Sequence, residues 1–309
     1  MSEPSRLFVS PSPHIRHGDT TARIMGDVLI ALAPALVAAC LVFGLRSLLV
    51  AAVCAASCAV FEFAFEKLTK RVNTISDLSA AVTGVLLAFN LPVTIPLWQA
   101  VVGSFAAIVL VKQLFGGIGR NFANPAITAR IILVLCFASM TAWTREWIPA
   151  GTDAVTTATP LAFLGRGESV SALQLFLGNH GGSLGETSAL ALTLGFVYLL
   201  IRRVISWETP VVFVAAVFAL SAAFGLPPVQ SVLSGGLFLG AIFMATDYVT
   251  TPYTFWGRVV FGVGAGFLTV VIRKYGSYPE GVSFSILLMN ILTPYINRWT
   301  IKKPLGGAK

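Results

Sequence analysis

The chain has 309 residues, 56% of them hydrophobic and only 11% charged, with a formal net charge of +8 and a mean hydropathy of +0.83. Soluble domains are about 25% charged, so this composition excludes an ordinary soluble enzyme and indicates a polytopic membrane protein in contact with lipid. The basic residues stand at the ends of apolar runs and form no stripe, so they read as topology markers and not as a nucleic-acid surface.

Residues 1–23 are polar and end in Arg16, His17 and Arg23, with no apolar core followed by a small-residue cleavage site. They read as a cytoplasmic N-terminal segment without a removable signal peptide. A crossing helix needs ~20 apolar residues to cover ~30 Å of hydrocarbon. Runs of that kind predict spans at 24–44, 47–65, 78–91, 96–114 and 126–143, then at 187–204, 209–225, 229–245, 259–273 and 281–297. The runs are continuous and not alternating, which makes a barrel the poorer reading. The expected fold is therefore an all-α polytopic membrane protein with about ten transmembrane helices. Its two five-helix halves cover 24–143 and 187–298, joined by an outer loop at 144–186 and followed by a cytoplasmic tail at 299–309. Gly and Pro inside several runs predict broken helices that line an interior site. Val93-Thr94-Ile95-Pro96 is echoed 156 positions later by Val249-Thr250-Thr251-Pro252. Five crossings per half would relate the two halves by inversion.

With the N-terminus inside, fifteen of the 21 Lys and Arg residues fall on the inner face. Arg46, Arg145, Arg166, Arg273 and Lys274 fall outside, and Arg130 lies within a span. This positive-inside bias predicts cytoplasmic termini and an outer-face loop 144–186 in a bacterial or archaeal cytoplasmic membrane. The four Cys all lie in apolar runs, where a thiol acts as a small hydrophobe. Ionisable residues in or beside spans are costly and tend to face the interior. Asp27, Glu62, Glu66, Asp77, Arg130 and Asp247 are such residues, and Asp77 and Asp247, each bordering a span on the inner side, are the ones taken for an ion path, with helix capping as the alternative use.

Two motifs remain. Gly116-Gly117-Ile118-Gly119-Arg120-Asn121-Phe122-Ala123-Asn124-Pro125-Ala126 precedes the fifth span on the inner side. Gly119 allows close backbone approach, Arg120 offers a charged donor, and Asn124 with Pro125 opens a helix whose amides suit electron-rich ligand atoms. A tight re-entrant turn is the competing reading of the same residues. The Asn-Pro-Ala triplet also suggests a water pore, but the matching position in the second half reads Pro279-Glu280-Gly281. In the outer loop, Asp153-Ala154-Val155-Thr156-Thr157-Ala158-Thr159-Pro160 resembles the sequence on which flavin transferases esterify FMN phosphate to the last Thr. That residue is Thr159; Asp153 and Ala158 complete the attachment motif, with Thr156 and Thr157 shaping it.

Taken with Ser76 to Gly84, the Gly-Arg-Asn-Phe-Ala-Asn-Pro-Ala run at 119–126 and Phe243-Met244-Ala245-Thr246-Asp247, the chain resembles the RnfD/NqrB family of membrane flavoproteins over nearly its whole length. NqrB proteins usually carry Ser-Gly-Ala-Thr where this chain has Thr156-Thr157-Ala158-Thr159. The resemblance implies one covalent FMN on the outer side and a noncovalent riboflavin deeper in the membrane domain. It further implies an electron relay inside an ion-translocating ferredoxin:NAD oxidoreductase, the Rnf complex, coupled to Na⁺ or H⁺. Its partners would be a second covalent-flavin subunit, iron–sulfur subunits and, during maturation, a flavin transferase. The chain has no Cys cluster and no strand-to-helix Gly fingerprint of its own, so the substrates would be handled elsewhere. From the residues alone, a passive channel or secondary transporter built of inverted repeats stands as the alternative.

Overall fold

The computed structural model describes residues 19–137, Leu161, 171–178, 181–186, 188–276 and 281–301. Among them every regular element is helical. The first half runs α1 (Thr21–Phe43), α2 (Arg46–Leu68), a 3-10 turn at Ile75–Asp77, α3 (Ser79–Phe89), α4 (Leu97–Phe105, continuing as a π-helix over Ala106–Gln113) and α5 (Pro125–Cys136). A short helix, α6 (Ala172–Leu177), leads to the second half: α7 (Ala189–Ile201), α8 (Glu208–Ala223), α9 (Pro228–Leu233), α10 (Leu237–Leu239, continuing as a π-helix over Gly240–Met244), α11 (Phe255–Tyr275) and α12 (Gly281–Thr300).

Each predicted span contains a helix, but not every one is a full crossing. By length and composition α1, α2 and α11 can cross a membrane, whereas α3, α4, α5, α7 and α8 are apolar and shorter. The 11 residues of α3 give about 16 Å of helix, half of the ~30 Å hydrocarbon layer. The run 229–245 is a broken span. Gly235 and Gly236 take φ of 70° and 67°, left-handed values that separate α9 from α10. The run 126–143 is helical as far as Cys136, after which Phe137 turns extended, and positions 138–143 lie outside the described residues.

Helix α1 buries Ala31, Leu32, Ala35 and Ala39 and turns Ile30, Val37 and Leu41 outward. An apolar outer face is what a helix presents to lipid. Lipid is as apolar as Leu, so helices associate there through close backbone approach. Gly84 on α3 supplies one such contact: a Cβ there would stand 2.5 Å from Ala55 Cα on α2. Gly195 on α7 supplies another, since its Cβ would lie 2.3 Å from the Ala31 carbonyl of α1.

The packing order repeats. Helix α2 packs on α4 as α8 packs on α11, α4 on α5 as α11 on α12, and α3 on α5 as α10 on α12. Helices α5 and α12 begin at Pro125 and Gly281, 156 positions apart, the offset of the Thr-Pro echo. The short helices α3 and α10 run in opposite directions. The first turns of α3 face the last turn of α10 across one cavity, while a Cβ on Gly185 would touch both Phe89, at the end of α3, and Leu239, near the start of α10. Between the halves, α1 packs on α7, where Asp27 receives Tyr198 Oη at 2.9 Å and Arg202 Nε and Nη2 at 3.2 and 3.0 Å.

Candidate functional site: a cavity between the halves

A cavity of about 370 Å³ opens where the two half-length helices meet. Its walls come from Met25 and Val28 on α1, Val82 and Leu86 on α3, and Ile242 and Phe243 on α10. Its polar edge comes from Thr83, Asn121, Thr246 and Asp247. The volume lies within the ~300–1,000 Å³ of small-molecule sites, and apolar walls with a few convergent polar groups suit a flat ligand with a polar rim.

The loop before α5 reaches this cavity, though in a different way from the sequence expectation. Gly119 and Asn124 line it; Arg120 does not. Arg120 is exposed, and its stem packs over Gly116. Nor are the first amides of α5 free for a ligand. Asn124 caps the helix through Oδ1, accepting from Ala126 N at 3.0 Å and Ile127 N at 3.4 Å, while its Nδ2 donates to the Met244 carbonyl at 3.3 Å. Gly119 takes φ of 87° with nothing within 4 Å of a Cβ, so backbone conformation and not crowding favours glycine there. Asn121 donates one Nδ2 hydrogen to the Ala123 carbonyl at 3.0 Å and bonds Asp247.

Asp247 sits in the turn after α10, accepting from Val249 N at 3.4 Å and Thr250 Oγ1 at 3.1 Å. Burial raises its carboxyl above the ordinary 3.8, opposed by the hydrogen bonds from Val249, Thr250 and Asn121. Asp77 has the capping use: its Oδ1 accepts from Ser79 N at 2.8 Å and Ser79 Oγ at 2.5 Å at the start of α3. The cavity thus takes Asp247 directly and Asp77 only through Ser79.

The sequence reading missed the cation in this wall. Lys112, on the π-helical end of α4, lines the cavity and donates to Glu62 Oε1 and Ser79 Oγ, each at 2.6 Å. Behind it lies a buried cluster. Gln113 Nε2 donates to Glu62 Oε1 at 2.8 Å, Thr74 N donates to Glu66 Oε2 at 3.1 Å, and the Thr74 hydroxyl donates to Glu66 Oε1. Glu62 and Glu66 share one stripe of α2 with Cys54 and Cys58, and that spacing of four was the available signal. A partner 50 residues away has no local signature.

A second polar layer lies at the other end of α3. Arg130 Nη1 donates to Asn90 Oδ1 at 2.9 Å and Ser283 Oγ at 3.3 Å, and its Nη2 stands 3.8 Å from Glu186 Oε1. Arg273 donates to the carbonyls of Ser231, Ser234 and Gly235. Buried Leu161 packs beside it: a Cβ on Gly235 would touch both Leu161 and Arg273. The attachment motif, Asp153, Thr156, Thr157, Ala158 and Thr159, lies outside the described residues.

Comparison with known proteins agrees with this architecture. The chain is 48% identical over 308 residues to the D subunit of the Na(+)-translocating ferredoxin:NAD(+) oxidoreductase complex of Acetobacterium woodii, covering 98% of this chain and 96% of that one. It is 42% identical to the D subunit of the proton-translocating ferredoxin:NAD(+) oxidoreductase complex of Clostridium ljungdahlii, covering 97% and 96% of the two chains. It is also 37% identical to the D subunit of the ion-translocating oxidoreductase complex of Halorhodospira halophila, covering 96% and 95%. Residues 8–306 match the NQR2, RnfD, RnfE family, and the chain belongs to that family.

Proposed function

We propose that this chain is the D-type membrane subunit of an ion-translocating ferredoxin:NAD oxidoreductase complex, where it holds flavin and relays electrons. The observation that carries the reading is the cavity: Gly119, Asn121 and Asn124 on one side and Phe243, Thr246 and Asp247 on the other, distant in sequence, line one space of ligand size. Near full-length similarity to the D subunits of such complexes supports the assignment to a complex.

The cavity suits a noncovalent riboflavin. Apolar side chains on α1, α3 and α10 match the faces of an isoalloxazine ring. Thr83 and Thr246 donate to the carbonyls of Ser79 and Ile242, leaving hydroxyl lone pairs to accept from a ring N–H. When bound, flavin supplies the one- and two-electron chemistry; the protein fixes its position and electronics. A covalent FMN on Thr159, through its phosphate, is the second part of the reading. Thr159 stands two residues before Leu161 in the sequence, and Leu161 is buried beside Arg273. A covalent tether would hold FMN at the outer face, next to partner subunits carrying flavin or iron–sulfur groups. Asp247, on the cavity wall, is the better-placed candidate for the ion path; Asp77 is engaged in starting α3.

Intact-mass measurement after maturation with a flavin transferase tests the assignment. Thr159→Val should lose the FMN increment and Thr157→Val should keep it, with acid-extractable flavin remaining in both. Matured wild-type protein carrying neither flavin would support a channel or transporter instead.

A further inference from the structure

Lys112 and Asp247 are the two charged side chains in the cavity wall among the described residues, and Lys112 is the one cation. Its ammonium is 4% exposed at the side chain and is held from behind by Glu62 and Ser79, with no second carboxylate of the described residues within salt-bridge distance. A charge fixed at the edge of a water-poor site acts on whatever charge develops inside it far more strongly than it would in water.

Resting on the reading of the cavity as a flavin site, we propose that Lys112 is a redox-positioning residue, an ammonium that stabilises the negative charge one-electron reduction places on the ring, with Glu62 setting how much of that field reaches it. The step is a pure electron transfer. A one-electron donor of the complex, an iron–sulfur protein by chemical class, is oxidised and the ring is reduced; no bond forms or breaks, and Lys112 keeps its proton. The geometry gives Glu62 the opposing role. Its Oε1 accepts from the ammonium and from Gln113 Nε2, and its Oε2 is buried without a hydrogen-bond partner among the described residues, so Lys112 is the cation of the described residues that its negative charge faces at salt-bridge distance. The π-helical winding of α4 at Ala106–Gln113 places Lys112 and Gln113 together over that carboxylate, a device often found at functional positions in helices.

The test uses the assembled complex and reads the extractable flavin and its potential by anaerobic spectroscopic titration. Removing the carboxylate charge in Glu62→Gln leaves the ammonium uncompensated, and the one-electron reduction of the noncovalent flavin should become more favourable. Removing both charges in the Lys112→Met, Glu62→Gln double variant should make it less favourable than in the single variant, by at least tenfold in the equilibrium constant, about 59 mV. Lys112→Arg should stay near wild type. Shifts of opposite sign with flavin content retained support the proposal. Retained flavin with an unmoved potential, or flavin lost from both Glu62 variants, overturns it. Absence of noncovalent flavin from the wild-type complex instead overturns the reading of the cavity itself.

Discussion

At the scale of the residue, Asp247 shows how one carboxylate can be both a structural and a chemical group. Its bonds to Val249 and Thr250 fold the turn after α10, while its position on the cavity wall leaves it partly buried. Because burial raises its folded value above 3.8, the folded chain binds this proton more tightly than the unfolded chain does. Below that value the group is neutral in both states and its contribution is complete. As pH rises past it the unfolded chain ionises first, and stability is lost until the folded carboxyl ionises as well. Asp247→Asn removes this slope. Thermal unfolding in detergent across a rising pH series should show wild type losing stability relative to the variant, and a parallel pH dependence in both would contradict the assignment. In proteoliposomes of the assembled complex, the same variant should lower ion uptake several-fold while extractable flavin stays near wild type; unchanged uptake removes Asp247 from the path.

At the scale of the element, the cavity depends on how closely α3 lies on α2. A Cβ at position 84 meets backbone, Ala55 Cα at 2.5 Å and Cys54 O at 2.7 Å, so no rotamer change relieves Gly84→Ala. Overpacking of this kind typically costs about 1–3 kcal/mol. The displaced helix carries Val82, Thr83 and Leu86, so noncovalent flavin should be lost along with thermal stability. Gly26→Ala on α1 is the control, since its Cβ meets nothing nearer than Leu78 Cδ1 at 4.0 Å, and it should be neutral or stabilising. Equal effects of the two substitutions would show that the α2–α3 contact is not what shapes the cavity. The same elements show what a sequence reveals. Among the described residues, continuous apolar runs reported every helix but the short α6, because burial in lipid demands them, and Asn124-Pro125 reported the start of α5, because a cap and a Pro at the first helical position are local chemistry. The pairing of Lys112 with Glu62 is a tertiary contact between spans, and the path of Arg120 away from the cavity depends on how one loop turns. Neither leaves a mark in local spacing.

At the scale of the whole molecule, relatives at 48% and 42% identity are named for translocating Na⁺ and protons respectively, so the shared architecture does not by itself fix the ion. Orientation rests on the division of Lys and Arg along the sequence, which is an expectation open to test. The charge bias puts the loop before α5, Asp77 and Asp247 on the inner side, and these groups gather at one end of α3 around the cavity. It puts Arg273 and the 144–186 loop on the outer side, and Arg273 and Leu161 of that loop meet at Gly235, beyond the other end of α3. A chain with the four native cysteines replaced by Ala and a single cysteine at position 157 should be labelled in intact cells by a membrane-impermeant maleimide. A single cysteine in place of Arg71, exposed after α2, should be labelled only once the membrane is opened. The opposite pattern would place the attachment loop in the cytoplasm and remove the outer-face FMN. Labelling of both sites in intact cells would mean that the protein is not inserted in one orientation, and the fifteen-to-five division of basic residues would then have failed as a guide to its topology.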